Sequence, residues 1–141
     1  STRKEMAMAR NKPKLVVETG TNIGITARAL GAGCWANGGG RVVTSDIDPR
    51  MVEYARKVCE GLPVEIRECP SLKLPELKEA DLVFIDSSYS SRTQEHRLVK
   101  SGAVYIYHDS AAEKWVRPEL DYEQFKVHLD SPRGFSLIRK S

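Results

Sequence analysis

Three features of this sequence predict an α/β fold built on a doubly wound, mostly parallel sheet. Short β-branched runs alternate with stretches of helical periodicity, the pattern of strand–crossover–strand units. Runs such as Leu15–Val17 and Leu82–Ile85 are apolar at every position, as in strands covered on both faces. Each run stops at small or acidic residues, so polar side chains collect at the carboxyl ends of the strands, where such sheets bind ligands. The tail departs from this pattern and reads as an antiparallel hairpin.

Taken in order, "KLVVETG" (14–20) is the first strand, ending at Gly20. Asn22 is placed to cap a helix that carries Ile23, Ala27 and Leu30 on one stripe. The run "GAGCWANGGG" (31–40) reads as a glycine-rich connection. "RVVTSDI" is the second strand. "DPRMVEYARKVCEG" opens with an Asp cap and a proline at the first helical position, and Gly61 stops it. Met51, Ala55, Val58 and Cys59 share a face of that helix. "PVEIRE" and "ADLVFID" are the third and fourth strands. Residues 92–100 suit a helix with a thin apolar stripe, and "GAVYIYHD" (102–109) is the fifth strand. In the tail, "QFKVHLD" and "FSLIRK" alternate around "SPRG", whose Pro132 and Gly134 suit a tight turn.

The 141 residues fit one domain, 1–141, with 1–13 as a short N-terminal segment. Apolar content of 40% and charged content of 29% are those of a soluble globular protein. No apolar run approaches the ~20 residues of a membrane span, and no signal segment opens the chain. Cys34, Cys59 and Cys69 are odd in number and lack metal-type spacing, which points to reduced thiols and a cytoplasmic protein. The net charge of +3 is local: residues 1–14 hold five basic side chains and one acid, a net +4, so the remainder sums to −1. A basic face for nucleic acid is therefore weakly supported.

"ETGTNIG" (18–24) sets an acid two residues before Gly20 and a second glycine, Gly24, four residues after it. Gly20 permits a tight turn, and Gly24 would let a ligand approach the helix. A purely steric need for both glycines is the alternative. Asp46 ends the next strand 26 positions after Gly20, where a carboxylate can accept both hydroxyls of a ribose. A nicotinamide unit would share that acid but prefers GxGxxG, whose middle glycine is missing.

In this order and spacing, "VVETGTNIGITA", "VVTSDIDP", "DLVFID" and "GAVYIYHD" resemble class I S-adenosylmethionine-dependent methyltransferases. The resemblance is to the small-molecule O-methyltransferase branch with its cephalosporin-hydroxylase-like members, over residues 14–139. It implies a sheet of order 3-2-1-4-5-7-6 and a cofactor, S-adenosylmethionine. It places Glu18 near the methionine amino group, Gly20, Thr21, Asn22 and Gly24 around that moiety, Asp46 on the ribose, and Ile47 and Asp48 at the adenine. The family's Gly-Asp after the third strand is Glu68-Cys69 here, which leaves Cys69 beside the adenine without the acid. Glu18 and Asp86 would face the sulfonium cation.

"FIDSSYSS" (84–91) and "YIYHD" (105–109) carry the acceptor chemistry. In the O-methyltransferase branch, Asp86 and Asp109 would share a magnesium ion that makes a substrate hydroxyl more acidic. His108 would act as general base in a metal-free variant. The branch often has Asp-Gly-Asp-His where this chain has Asp86-Ser87-Ser88-Tyr89. Two alternatives stay open: an amino-group methyltransferase on nucleic acid that uses Asp86 through Tyr89, and a non-catalytic cofactor-binding scaffold. The expected partner is a small-molecule acceptor, with no membrane, and a second copy of the chain could complete an open pocket. Capping-box residues Thr2 to Glu5 suit a short lid helix. His96 and His128 read as surface residues, and Trp115 as an anchor after strand five.

Overall fold

The computed structural model describes residues 12–108, 124–128 and 135–139. Its strands are β1 (Leu15–Thr19), β2 (Arg41–Asp46), β3 (Val64–Glu68), β4 (Leu82–Ile85), β5 (Val104–His108), β6 (Gln124–His128) and β7 (Phe135–Arg139). Three helices connect them: α1 (Ile25–Ala36), α2 (Pro49–Val58) and α3 (Tyr89–Leu98). The sheet order is β3-β2-β1-β4-β5-β7-β6. The first five strands are parallel, and β7 runs antiparallel to both β5 and β6. The segment joining β6 to β7, with the expected turn at Pro132 and Gly134, lies outside the described residues. So do the expected N-terminal lid and Trp115. Among the described residues no helix is long and apolar enough to cross a membrane.

Strand alternation divides the core in two. Val16, Val42, Leu82, Phe84 and Ile106 pack on Leu30 and Cys34 of α1. Val17, Val43, Val83, Ile85 and Tyr105 turn the other way, onto Leu74, Leu77 and Val99. All of β1 is buried, which is why its sequence does not alternate. A third cluster, Ala27, Val52, Ala55, Cys59 and Ile66, joins α1, α2 and β3.

Four local expectations need correction. Asn22 does not cap α1: it has φ +51°, the residue before the helix is Gly24 at φ +87°, and Ile23 is exposed. The run 31–40 is not a connection throughout, because α1 continues to Ala36. Ala27, Leu30, Gly31 and Cys34 form an i, i+3, i+4, i+7 stripe that buries against the sheet. A Cβ at Gly31 would stand 2.5 Å from Val64 Cγ2, so this glycine is a close-packing residue inside the helix. In α2 the Asp48 cap forms as expected, its Oδ1 accepting from Arg50 N at 2.9 Å. The buried positions there are Val52, Ala55 and Cys59, with Met51 and Val58 only half-buried at the edges.

Between β3 and β4 the chain forms two 3₁₀ turns, Ser71–Lys73 and Pro75–Lys78, which the sequence reading left unassigned. Pro70 and Pro75 interrupt any longer helix, while Leu74 and Leu77 still reach the core. Glu76 of the second turn is ion-paired with Arg67 of β3. Helix α3 explains its own thin apolar stripe, because much of its buried face is polar. Arg92, Glu95 and His96 are all buried. His96 is therefore not a surface residue. Its ring stacks on Tyr105 with centroids 4.8 Å apart, and the Tyr105 hydroxyl donates to the His96 carbonyl at 3.0 Å.

Candidate active site

The order β2-β1-β4 puts the topological switch at β1, whose two neighbours lead away in opposite directions. The loop after β1 is tied to both. On the β2 side, Thr21 N donates to the Ser45 carbonyl at 3.0 Å, and Asn22 N donates to Asp46 Oδ2 at 2.9 Å. On the β4 side, Asp86 N donates to the Thr19 carbonyl at 3.0 Å. Gly20, at φ +83°, lies so close that a Cβ would come within 2.7 Å of the Asp86 carbonyl oxygen. The conformation and the contact each require glycine.

Glu18 is buried and held by a hydroxyl relay. Thr44 Oγ1 donates to Glu18 Oε1 at 2.7 Å, and Thr21 and Thr44 hydroxyls lie 2.7 Å apart. A hydroxyl has one proton, so Thr44 accepts from Thr21 and passes its own hydrogen bond to the carboxylate. The relay orients Glu18 from β2 and from the loop after β1. Sequence reasoning missed Thr44, a polar residue inside an otherwise apolar strand.

Asp46 is half-buried at the end of β2. Its Oδ1 accepts from Asp48 N at 2.9 Å while Oδ2 holds Asn22 N. Each carboxylate oxygen has two acceptor sites, so both retain capacity for a further donor. Beside it Ile47 is 73% exposed, an apolar surface at a polar rim. The Asp48 carboxyl is held below its usual range, first by the Arg50 backbone N–H and then by the Arg50 side chain. Cys69 is half-buried against the core, and burial pushes its thiol pKa up.

Gly24 is packed against the next helix. It is buried, and a Cβ there would meet Ala55 Cβ at 2.9 Å. The Cys59 thiol donates to its carbonyl at 3.6 Å. Burial, and secondly the charge of Glu18, push the Cys59 pKa up and keep the thiol a neutral donor. Gly24 thus lets α2 approach α1.

Asp86 follows β4 and His108 ends β5. The register pairs Ile85 with Tyr107, and Asp86 and His108 each follow that paired position. Asp109 lies outside the described residues. Among the described residues no three His, Cys, Asp or Glu side chains gather into a group that could hold a metal.

A cluster unseen in the sequence lies behind this rim. Glu95 of α3, fully buried, accepts from Ser87 Oγ at 2.8 Å, from Ser71 Oγ, and weakly from Thr19 Oγ1 at 3.4 Å. Arg92, one turn earlier, donates through Nε to the Ser87 carbonyl at 3.2 Å. Burial pushes the Glu95 carboxyl pKa up, against the hydroxyl donors and the Arg92 charge. The signal available in the sequence was the poor apolar stripe of residues 89–98: a crossover helix without apolar side chains must bury polar ones.

The sequence matches no protein-family model and no curated protein. Solved structures match its fold over nearly the whole chain. A methyltransferase from Podospora anserina with S-adenosylhomocysteine bound aligns at TM-score 0.76 and 18% identity, over 100% of this chain and 80% of its own. An O-methyltransferase from Bacillus cereus, also with S-adenosylhomocysteine, aligns at TM-score 0.70 and 19% identity, over 97% and 79%. An RNA methyltransferase from Salinibacter ruber, in complex with the same molecule, aligns at 0.68 and 18%, over 99% and 91%. The chain therefore has the methyltransferase fold, shared here by proteins whose acceptors differ.

Proposed function

We propose that this chain, which has the methyltransferase fold, binds S-adenosylmethionine at the β1 switch and transfers its methyl group to a hydroxyl of a small molecule. The observation that carries this reading is the rim itself. One loop, 20–24, is tied to the ends of β2 and β4, which supports reading Glu18, Asp46, Ile47 and Asp86 as the border of a single site. The residues suit the cofactor. Asp46 has acceptor capacity for the two ribose hydroxyls, exposed Ile47 offers an apolar face to a purine, and the carboxylates Glu18 and Asp86 flank the loop expected around the methionine moiety. The bound cofactor supplies an already activated methyl group on a sulfonium.

What the chain must add is alignment, exclusion of water and a destination for one proton. In this reading Asp86 orients the acceptor hydroxyl, and His108, at the end of the neighbouring strand, takes the hydroxyl proton. A magnesium-dependent variant would use Asp86 with Asp109, and the two variants part on chelation. With His108 as base, turnover rises through the histidine titration range and ignores chelator. With magnesium, chelation abolishes turnover, leaves cofactor binding intact, and added magnesium restores it. The C-terminal strand pair, taken as one hairpin closed at Pro132 and Gly134, completes the sheet beside β5, and the whole chain acts as a single domain.

The test is methyl transfer from labelled S-adenosylmethionine to panels of hydroxyl and amine acceptors, alongside calorimetric binding of the cofactor and of NAD. Hydroxyl methylation lost in Asp86→Ala and His108→Ala supports the reading. Tighter binding of NAD overturns the cofactor. Full hydroxyl turnover in the double variant overturns the catalytic residues.

A further inference from the structure

A fully buried carboxylate is costly to keep and is retained only where hydrogen bonds compensate it. Glu95 therefore depends on its partners. Thr19 immediately precedes Gly20, Ser87 immediately follows Asp86, and Ser71 stands two residues past Cys69. Each is the neighbour or near neighbour of a residue on the candidate cofactor rim, and the three come from segments remote in sequence. All are reached by one side chain at the middle of α3.

The contact between two of these segments has no slack. Beyond the 2.7 Å approach to the Asp86 carbonyl oxygen, a Cβ at Gly20 would stand 3.3 Å from Ser87 Cα. A shift of Ser87 would therefore move the wall against which the Gly20 turn rests. Ser87 is held twice by α3, through its carbonyl by Arg92 and through its hydroxyl by Glu95, three residues apart on one helical face. Thr19 projects to the same side of the sheet as Val17 and Ile85, the side that packs with the end of α3. Beside it in register stands Ser45, whose buried Oγ has no hydrogen-bond partner among the described residues. The polar layer thus continues beneath the strand that ends in Asp46.

We infer that Glu95 is a positioning residue for the cofactor site: without touching the ligand, its carboxylate locks the loops after β1 and β4 and the turn after β3 into one rim. This rests on the cofactor reading above. Helix α3 becomes the clamp that sets the spacing between the Gly20 turn and Asp86.

The experiment compares the intact chain with Glu95→Gln and Glu95→Leu, using S-adenosylhomocysteine as calorimetric probe and melting temperature as the measure of fold. Glutamine can still meet hydroxyls, which reverse donor and acceptor roles freely, and should bind within about threefold of wild type. Leucine fills the space but meets none of them and leaves the buried Ser71 and Ser87 hydroxyls without their acceptor. It should melt below wild type and, at a temperature where both proteins are fully folded, weaken binding by about tenfold or more, the scale of a lost charged hydrogen-bond set. Full affinity in Glu95→Leu at a temperature where both proteins are folded overturns the inference. If Glu95→Leu does not fold, Ser71→Ala with Ser87→Ala replaces it under the same expectations. Amide hydrogen exchange on the ligand-free proteins separates this idea from the cofactor reading. Exchange at residues 19–21, 71–74 and 86–88 should rise in Glu95→Leu but not in Glu95→Gln, whether or not the probe binds. Unchanged exchange in Glu95→Leu overturns the clamp; failure of wild type to bind the probe overturns the cofactor reading alone.

Discussion

Asp46 already ties the loop at the rim, and the ribose contact proposed for it would be a second task. Its carboxylate already accepts from Asn22 N and Asp48 N, so its removal loosens the loop as well as the expected ribose contact. Asp46→Ala should weaken S-adenosylmethionine binding by about 1–3 kcal/mol, the range for losing charge-assisted hydrogen bonds. Titration calorimetry checks this, and equal affinity in wild type and variant would remove the ribose assignment. Glu95 makes a second prediction, about pH. Burial raises its carboxyl above the ordinary 4.5, so its contribution to stability is full below that value and is lost as pH rises through the folded-state value. Glu95→Gln cannot ionise, so its melting temperature should gain on wild type as pH climbs from about 4 to about 8. A constant gap across that range would show that Glu95 does not titrate as its burial dictates. Asp46 was legible in the sequence because it ends a strand. Glu95 was not, since nothing local distinguishes a buried glutamate from a solvated one on a polar helix.

At the scale of elements, glycine is the instructive residue. In "ETGTNIG" the two glycines look alike, but Gly20 rests on the backbone after β4 and Gly24 on Ala55 of α2. Gly24→Ala combines a positive φ with a 2.9 Å approach, and should destabilise the fold by about 1–3 kcal/mol. Urea titration measures that loss, and binding measured where the variant is fully folded should change little. A large affinity loss with unchanged stability would show that Gly24 also acts at the ligand site. Gly31 shows how the boundary of α1 was misread. Glycine-rich composition argued for a connection, whereas close packing on Val64 made glycine the residue that continues the helix. The 3₁₀ turns escaped the sequence reading for a related reason. Pro70 and Pro75 broke every period, and the burial of Leu74 and Leu77 is set by the sheet beneath them.

As a whole, the chain is organised by one sheet whose two faces are covered by different chemistry. Helices α1 and α2 bring apolar side chains to one face; α3 and the 3₁₀ turns bring leucines and a buried polar layer to the other. Every described strand belongs to that sheet, and β1 pairs with strands from both directions of the chain. Unfolding should therefore be a single cooperative transition. For 141 residues its enthalpy should be about 100 kcal/mol near 60 °C, with calorimetric and van't Hoff values equal. Two resolved transitions in a scanning calorimeter would show that the C-terminal strand pair, or another part, folds apart from the rest.

By itself the sequence determined the parallel strands, their order of appearance and the acids at their ends. These rest on local facts: β-branched runs buried on both faces, a capped helix at Asp48-Pro49, and polar residues where the runs stop. Only the tertiary structure decided which glycine meets a backbone and which meets a helix, that Thr44 orients Glu18, and that Glu95 and His96 lie inside. Many of these relations join residues far apart in sequence, as from Thr21 to Thr44 and from Thr19 to Glu95. A side chain's burial and hydrogen-bond partners depend on what the sheet brings against it, which no period of two or 3.6 residues can carry.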